Sequence, residues 1–233
     1  MRRARFVFLL TLGTVVSALA ASAPQALSTT VVINEVDYDQ PSTDTAEFLE
    51  LRNVSAAAIE LDTYVVQLVN GTGGGAAVYD TIDLPAVTLA PGEPYVICAN
   101  TGTVANCDLD DDTDTNFIQN GDPDAIGLRN GSTLVDALSY EGNSGAPYTE
   151  GSGAGLTDNP DAGTNGLSRC PDGTDTDVNN ADFTYRPSTP GAANDCPPAP
   201  TPATSSACCA VFAISNDAHR NTGLPSIVRC GHW

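Results

Sequence analysis

The chain has 233 residues, nine basic against 29 acidic, for a formal net charge of −20. A surface this acidic repels phosphate backbones, which argues against direct nucleic-acid binding. With 21 Gly, 16 Pro and 6% aromatic residues, the composition favours short strands and turns over long helices.

The first 23 residues read as a signal peptide. Arg2, Arg3 and Arg5 form a basic start, residues 6–16 are apolar, and Ala18-Leu19-Ala20 and Ala21-Ser22-Ala23 both fit small-x-small cleavage. The apolar run falls short of the ~20 residues that span a bilayer. The expectation is a secreted protein, extracellular or periplasmic, with no membrane span after signal removal.

Strands are expected at 31–36, 47–52 and the β-branched run 64–69. Asn70-Gly71 and Gly73-Gly74-Gly75 mark a turn or loop, and 77–84 and 87–89 continue as strands. Pro91-Gly92 turns the chain into 95–99, which carries Cys98. After an acidic loop at 108–114, strands 125–129 and 133–140 flank Asn130-Gly131, a strong hairpin signal. Residues 141–165 read as a long surface loop, and 166–169 and 183–185 as a return to the sheet.

Roughly ten short strands, as counted by these turn signals, predict an all-β protein, a β-sandwich over residues 31–196. It is longer than the ~100 residues of a minimal immunoglobulin-like domain. The excess fits long loop insertions around 70–82, 106–116 and 141–165. A Pro-rich linker follows at 197–206. Residues 207–233 show no periodicity and read as a disordered or truncated tail.

Export permits disulfides. Of seven cysteines, Cys98, Cys107, Cys170 and Cys196 lie in the predicted domain. Their sequence-local pairing, Cys98–Cys107 and Cys170–Cys196, is one of the three connectivities that four cysteines allow. Cys208, Cys209 and Cys230 fall in the tail. A zinc site lacks both C-x-x-C spacing and a nearby His.

Asp108, Asp110, Asp112 and Asp114 alternate along one loop, a spacing that can converge oxygens on a hard cation such as calcium. The loop is no EF-hand: counting from Asp108, Thr113 stands where Gly is required and Gln119 where Glu is required. The bland alternative is a solvated acidic loop. A second acidic run holds Asp172, Asp175, Asp177, Asn179 and Asp182. Asn34, Glu35 and Glu50 place polar groups within apolar strands, where outward or edge positions are expected.

Both histidines, His219 and His232, lie in the tail and the chain has no Lys, so Ser–His, Cys–His and Ser–Lys schemes fail within the domain. A carboxylate-only hydrolase would draw on Glu47, Glu50, Glu141 and Glu150, but no motif singles them out. Three Asn-x-Ser/Thr sites, at Asn53, Asn70 and Asn130, read as turns.

Several blocks together resemble the lamin-tail domain in its bacterial secreted form. They are Asn34-Glu35, Glu47-Phe48-Leu49-Glu50-Leu51-Arg52-Asn53, Leu61, the segment 169–177 and Thr189-Pro190-Gly191. Ile118-Gln119-Asn120-Gly121 and Ser139-Tyr140-Glu141-Gly142 are similar to secreted members as well. The chain departs from the family at Asp62-Thr63-Tyr64, where members tend to have Ser-Gly-Trp; Tyr64 is expected to fill the aromatic slot. The resemblance implies an immunoglobulin-like sandwich without catalytic machinery, and Asx-turn hydrogen bonding in the 172–182 run. Its role would be binding, scaffolding or positioning of a neighbouring domain, with an unidentified protein or cell-surface ligand as partner. The alternative is the accessory N-terminal part of an extracellular nuclease or phosphatase of the endonuclease/exonuclease/phosphatase type, whose catalytic domain lies outside this chain.

Overall fold

Strand β2 (Phe48–Asn53) shows how this sequence builds its layers. Leu49 and Leu51 enter the main core, whereas Phe48 packs in a separate cluster with Val96 and Cys98. Successive side chains of a strand point to opposite faces, so the strand is covered on both sides. The computed structural model describes residues 30–72, 75–151, 156–158 and 164–198. The expected signal peptide, residues 199–206 of the linker, and the tail with Cys208, Cys209 and Cys230 lie outside the described residues.

Twelve strands and one four-residue helix occur among the described residues. Besides β2, they are β1 (Val31–Asp37), β3 (Ile59–Glu60), β4 (Tyr64–Asn70), β5 (Ala77–Asp83), β6 (Thr88–Leu89), β7 (Pro94–Cys98), β8 (Leu109–Asp110), β9 (Asp124–Asn130), β10 (Thr133–Tyr140), β11 (Asn165–Arg169), α1 (Asn179–Asp182) and β12 (Phe183–Pro187). The two beyond the expected ten come from two-residue pieces that carry no sequence periodicity.

One sheet runs β12-β11-β1-β2-β7-β8 and a second runs β10-β9-β4-β5; β3 and β6 form a ribbon. Pairing is antiparallel except between β7 and β8. Ile33, Val36, Leu49, Leu51, Ile97 and Leu167 of the first sheet share one core with Tyr64, Val66, Leu68, Ile126, Leu128 and Leu138 of the second. This is the all-β, immunoglobulin-like sandwich. Tyr64 is 2% exposed within that core and fills the expected aromatic slot.

Two local expectations need correction. The β9–β10 turn is Gly131-Ser132, one residue later than expected, because Asn130 still pairs with Thr133. Gly131 supplies the positive φ, +56°, that such a tight turn needs. The 141–165 segment is also more than surface loop: Ser144, Tyr148, Glu150 and Asp158 are all buried. Tyr148 packs with Val69 and Ala125, and the Asp158 amide donates to the Tyr38 hydroxyl at 2.6 Å.

Candidate functional site

The residues available for chemistry lie mainly on the face of the six-stranded sheet turned away from the core. Glu35 and Glu50 pair directly across β1 and β2. Both are fully buried, as is Asn34, and both strands are interior to the sheet. The expectation of outward or edge positions is therefore corrected. These side chains do leave the core, but residues 188–194 form a strap that covers them. Thr189 N donates to both Glu35 oxygens at 3.0 and 3.1 Å, and Gly191 N donates to Glu50 Oε2 at 2.8 Å. Ser188 Oγ donates to Asp37 Oδ2 at 2.9 Å, and Asn194 Nδ2 donates to the carbonyls of Asn34 and Arg169.

Burial without a counter-charge raises these acids. Glu35 is pushed up, while Asp37 and Glu50 each reach about 7. Glu47 rises to about 8 by burial, although the Phe117 and Ile118 amides donating to it pull the other way. Glu141, also considered for catalysis, accepts from the Tyr38 hydroxyl at 2.7 Å.

Arg169 forms the second feature. It is fully buried and lies within 3.0–3.2 Å of Asp136, Asp175 and Asp182. Its Cζ stands 4.5 Å from the Phe183 ring centroid, and its Nε donates to the Ile33 carbonyl at 2.9 Å. The Ile33 amide donates to Asp136 Oδ2 at 2.6 Å. The β1–β2 register shifts between Ile33 and Glu35, and the β9–β10 register between Leu134 and Asp136. A bulge disrupts its ladder locally. Here a buried ion pair from β10 and β11 takes up the backbone groups of Ile33.

Asp136, Glu150 and Asp175 bring carboxylate oxygens within 4.8 Å of one another, close enough to hold a metal ion. The Arg169 guanidinium already stands against Asp136 and Asp175 as the local cation. Burial raises both Asp136 and Glu150, and Arg169 opposes the rise.

Asp108, Asp110, Asp112 and Asp114 do not form such a group. Asp108 accepts from Val96 N at 2.8 Å, and Asp110 accepts from the Thr101 and Asp112 amides at 3.0 Å each. Those two amides hold Asp110 below the usual carboxylate range. Asp114 accepts from Asn100 Nδ2 at 2.8 Å. In the 172–182 run, Asp177 N donates to Asp175 Oδ1 at 3.1 Å, an Asx-type turn. Asp172 accepts from Asn34 and faces Arg52 at 3.3 Å.

Cys98 is bonded to Cys107 and Cys170 to Cys196. The first bond closes the loop after β7; the second ties the strap's end to the end of β11.

The family model for the Lamin Tail Domain matches residues 24–142, just over half of the chain. The chain belongs to the lamin tail domain family. No curated relative matches it. The matched segment stops just after β10. In this lamin tail domain, β11, β12 and the strap lie beyond it, yet they complete the six-stranded sheet and bury Glu35 and Glu50.

Sequence reasoning missed the roles of Asp136 and Arg169. A signal was present: Asp136 interrupts the run Leu134-Val135-Asp136-Ala137-Leu138, and Arg169 follows Leu167 in another short strand. A charge in an apolar strand calls for an opposite charge elsewhere.

Proposed function

We propose that this lamin tail domain is a secreted, non-catalytic module that binds a partner or positions a neighbouring domain. One observation carries the reading. Glu35 and Glu50, the acids of the family blocks, are spent on backbone amides of the strap and do not face an open cleft. Arg169 and its carboxylates are likewise spent on holding strands together. The signal-like first 23 residues and the two disulfides support export. The acidity argues against direct nucleic-acid contact and favours a basic or cell-surface partner. Loops on a rigid sandwich are the usual recognition surface. Calcium belongs to the reading only as an ion that orders the 108–114 loop.

The test incubates the purified chain with phosphodiester, phosphomonoester and glycoside substrates, with and without divalent ions. No turnover above buffer is expected. Turnover that disappears in Glu50→Gln or Asp136→Asn would overturn the reading. Reading the gene past codon 233 in all frames separates a self-sufficient module from an accessory one, since hydrolase motifs there would favour the latter.

A further inference from the structure

A cavity of about 250 Å³ opens beside the strap, above the cross-strand pair Asp37 and Phe48. Its walls come from four segments. Gln40 and Ala46 belong to the β1–β2 connection, Thr103, Val104 and Ala105 to the loop after β7, Ser188 and Pro190 to the strap, and Thr164, whose carbonyl accepts from Ser188 N at 2.8 Å, to the stretch before β11. Each segment is anchored. Gln40 donates to Asp37 Oδ1 at 2.5 Å and accepts from Ala46 N at 3.1 Å. The second wall is closed by the Cys98–Cys107 bond, and the Thr103 hydroxyl donates to the Thr45 carbonyl. The strap is held by Glu35, Glu50 and the Cys170–Cys196 bond. A pocket built this way needs little ordering when it is filled.

Asp37 gives the pocket its chemistry. It is 4% exposed and lines the cavity, yet no Arg of the described residues lies within ion-pair distance of it. Its two hydrogen-bond donors, Gln40 and Ser188, are neutral. Each carboxylate oxygen keeps a further lone pair. The nearest named charges, Glu35 and Asp39, are acids and add to the cost of ionising it. The other buried acids differ: amides cover Glu47 and Glu50, and Asp136 has Arg169. Around Asp37, Ala46, Phe48, Val104, Ala105 and Pro190 offer mainly apolar wall.

We infer that this pocket receives a lysine side chain from a basic partner protein. An ammonium group on an alkyl stem supplies the missing counter-charge and lays its methylenes along the apolar wall. The cavity lies below the ~300–1,000 Å³ of drug-sized ligand pockets, so it suits one side chain and not a cofactor. The chain contains no Lys of its own and carries a net charge of −20, so both the occupant and the long-range attraction point to a basic partner. This inference rests on the binding-module reading and gives its partner a chemistry.

The experiment titrates ¹⁵N-labelled protein with N-acetyl-lysine methylamide, its neutral norleucine isostere and cadaverine, following amide shifts. The lysine probe is expected to shift Ala46, Phe48, Val104 and Ala105, and the norleucine probe is not. A lysine-containing basic peptide should bind the same residues more tightly than cadaverine; the reverse order would make free amines the ligand and overturn the partner assignment. Asp37→Asn should weaken the lysine probe roughly tenfold or more, the loss of one charge-assisted bond. Ala105→Phe, at an exposed position of the rim, should block the probe while leaving Asp37 in place. Equal binding of norleucine, undiminished binding by both variants, or shifts spread over the acidic surface would sink the pocket. These outcomes leave the turnover test untouched, so the two readings can fail separately.

Discussion

The Gly191 amide donates to Glu50 Oε2 at 2.8 Å, joining the strap to the middle of the six-stranded sheet across 141 residues of sequence. Glu35 does the same for Thr189 two residues earlier in the strap. The acids of the N-terminal family block and the Thr189-Pro190-Gly191 block are thus two halves of one contact. A carboxylate buried under a loop that donates to it replaces lost water with backbone N–H groups.

Gly191 should not tolerate a side chain. Its φ is +75°, and a Cβ there would meet the Asn106 Cβ at 2.5 Å. Gly191→Ala is expected to lose roughly 1–3 kcal/mol, from strain and from the displaced bond to Glu50. Urea denaturation checks this through a lower midpoint at unchanged slope. A midpoint within error of the parent would mean that the strap contributes nothing to stability.

Arg169 should be the most costly single arginine to remove. Arg169→Met leaves Asp136, Asp175 and Asp182 buried without their cation, which is expected to cost ~3–5 kcal/mol. Arg52→Met breaks a pair with Asp172 in which each side chain is 20% exposed, and should cost no more than about 1 kcal/mol. Comparing the two by denaturation tests the contrast; equal losses would show that burial of the Arg169 cluster has no special weight.

Much of the sandwich is legible in the sequence because β-branched apolar runs and turn residues are local signals. The runs 31–36, 64–69 and 133–140 became β1, β4 and β10, and Tyr64 took the aromatic slot. What local signals do not carry is which distant segments cover which face. Glu50 looks like a solvated strand residue until residue 191 lies over it. Asp136 finds Arg169 only because β11 joins β1 and β10 packs across from it, 33 residues away in sequence. The short β3 and β8 were not anticipated because two residues show no period. The 141–165 segment misled because Tyr148 and Glu150 are isolated anchors in a polar stretch.

Calcium should have a small effect. For a Kd of ~0.1 mM and ~1 mM free ion, binding adds about 1.4 kcal/mol. At about 2–4 °C per kcal/mol for a domain of this size, the midpoint rises by about 3–6 °C. Asp112→Asn, in the 108–114 loop, should remove the rise, whereas Asp175→Asn should not. Identical melts in calcium and in EDTA would remove calcium from the reading.

The fold should be more stable in mild acid than at alkaline pH. The unfolded chain releases the protons of Asp37, Glu47 and Glu50 near 3.8–4.5, whereas the folded chain keeps them to about 7, 8 and 7. Between those limits the folded state binds more protons than the unfolded one, so stability falls as pH rises. The stabilisation is complete below about pH 4 and lost as pH passes through 7–8. One full unit on one such group is ~1.4 kcal/mol, or about 2–4 °C, so a fall of at least several degrees from pH 5 to pH 9 is expected. Melting curves across that range check it, with Glu47→Gln as the control. That variant should flatten the slope even where it lowers the midpoint. A midpoint that climbs from pH 5 to pH 9 would mean that these carboxylates are ionised in the folded protein and held by cations instead of protons.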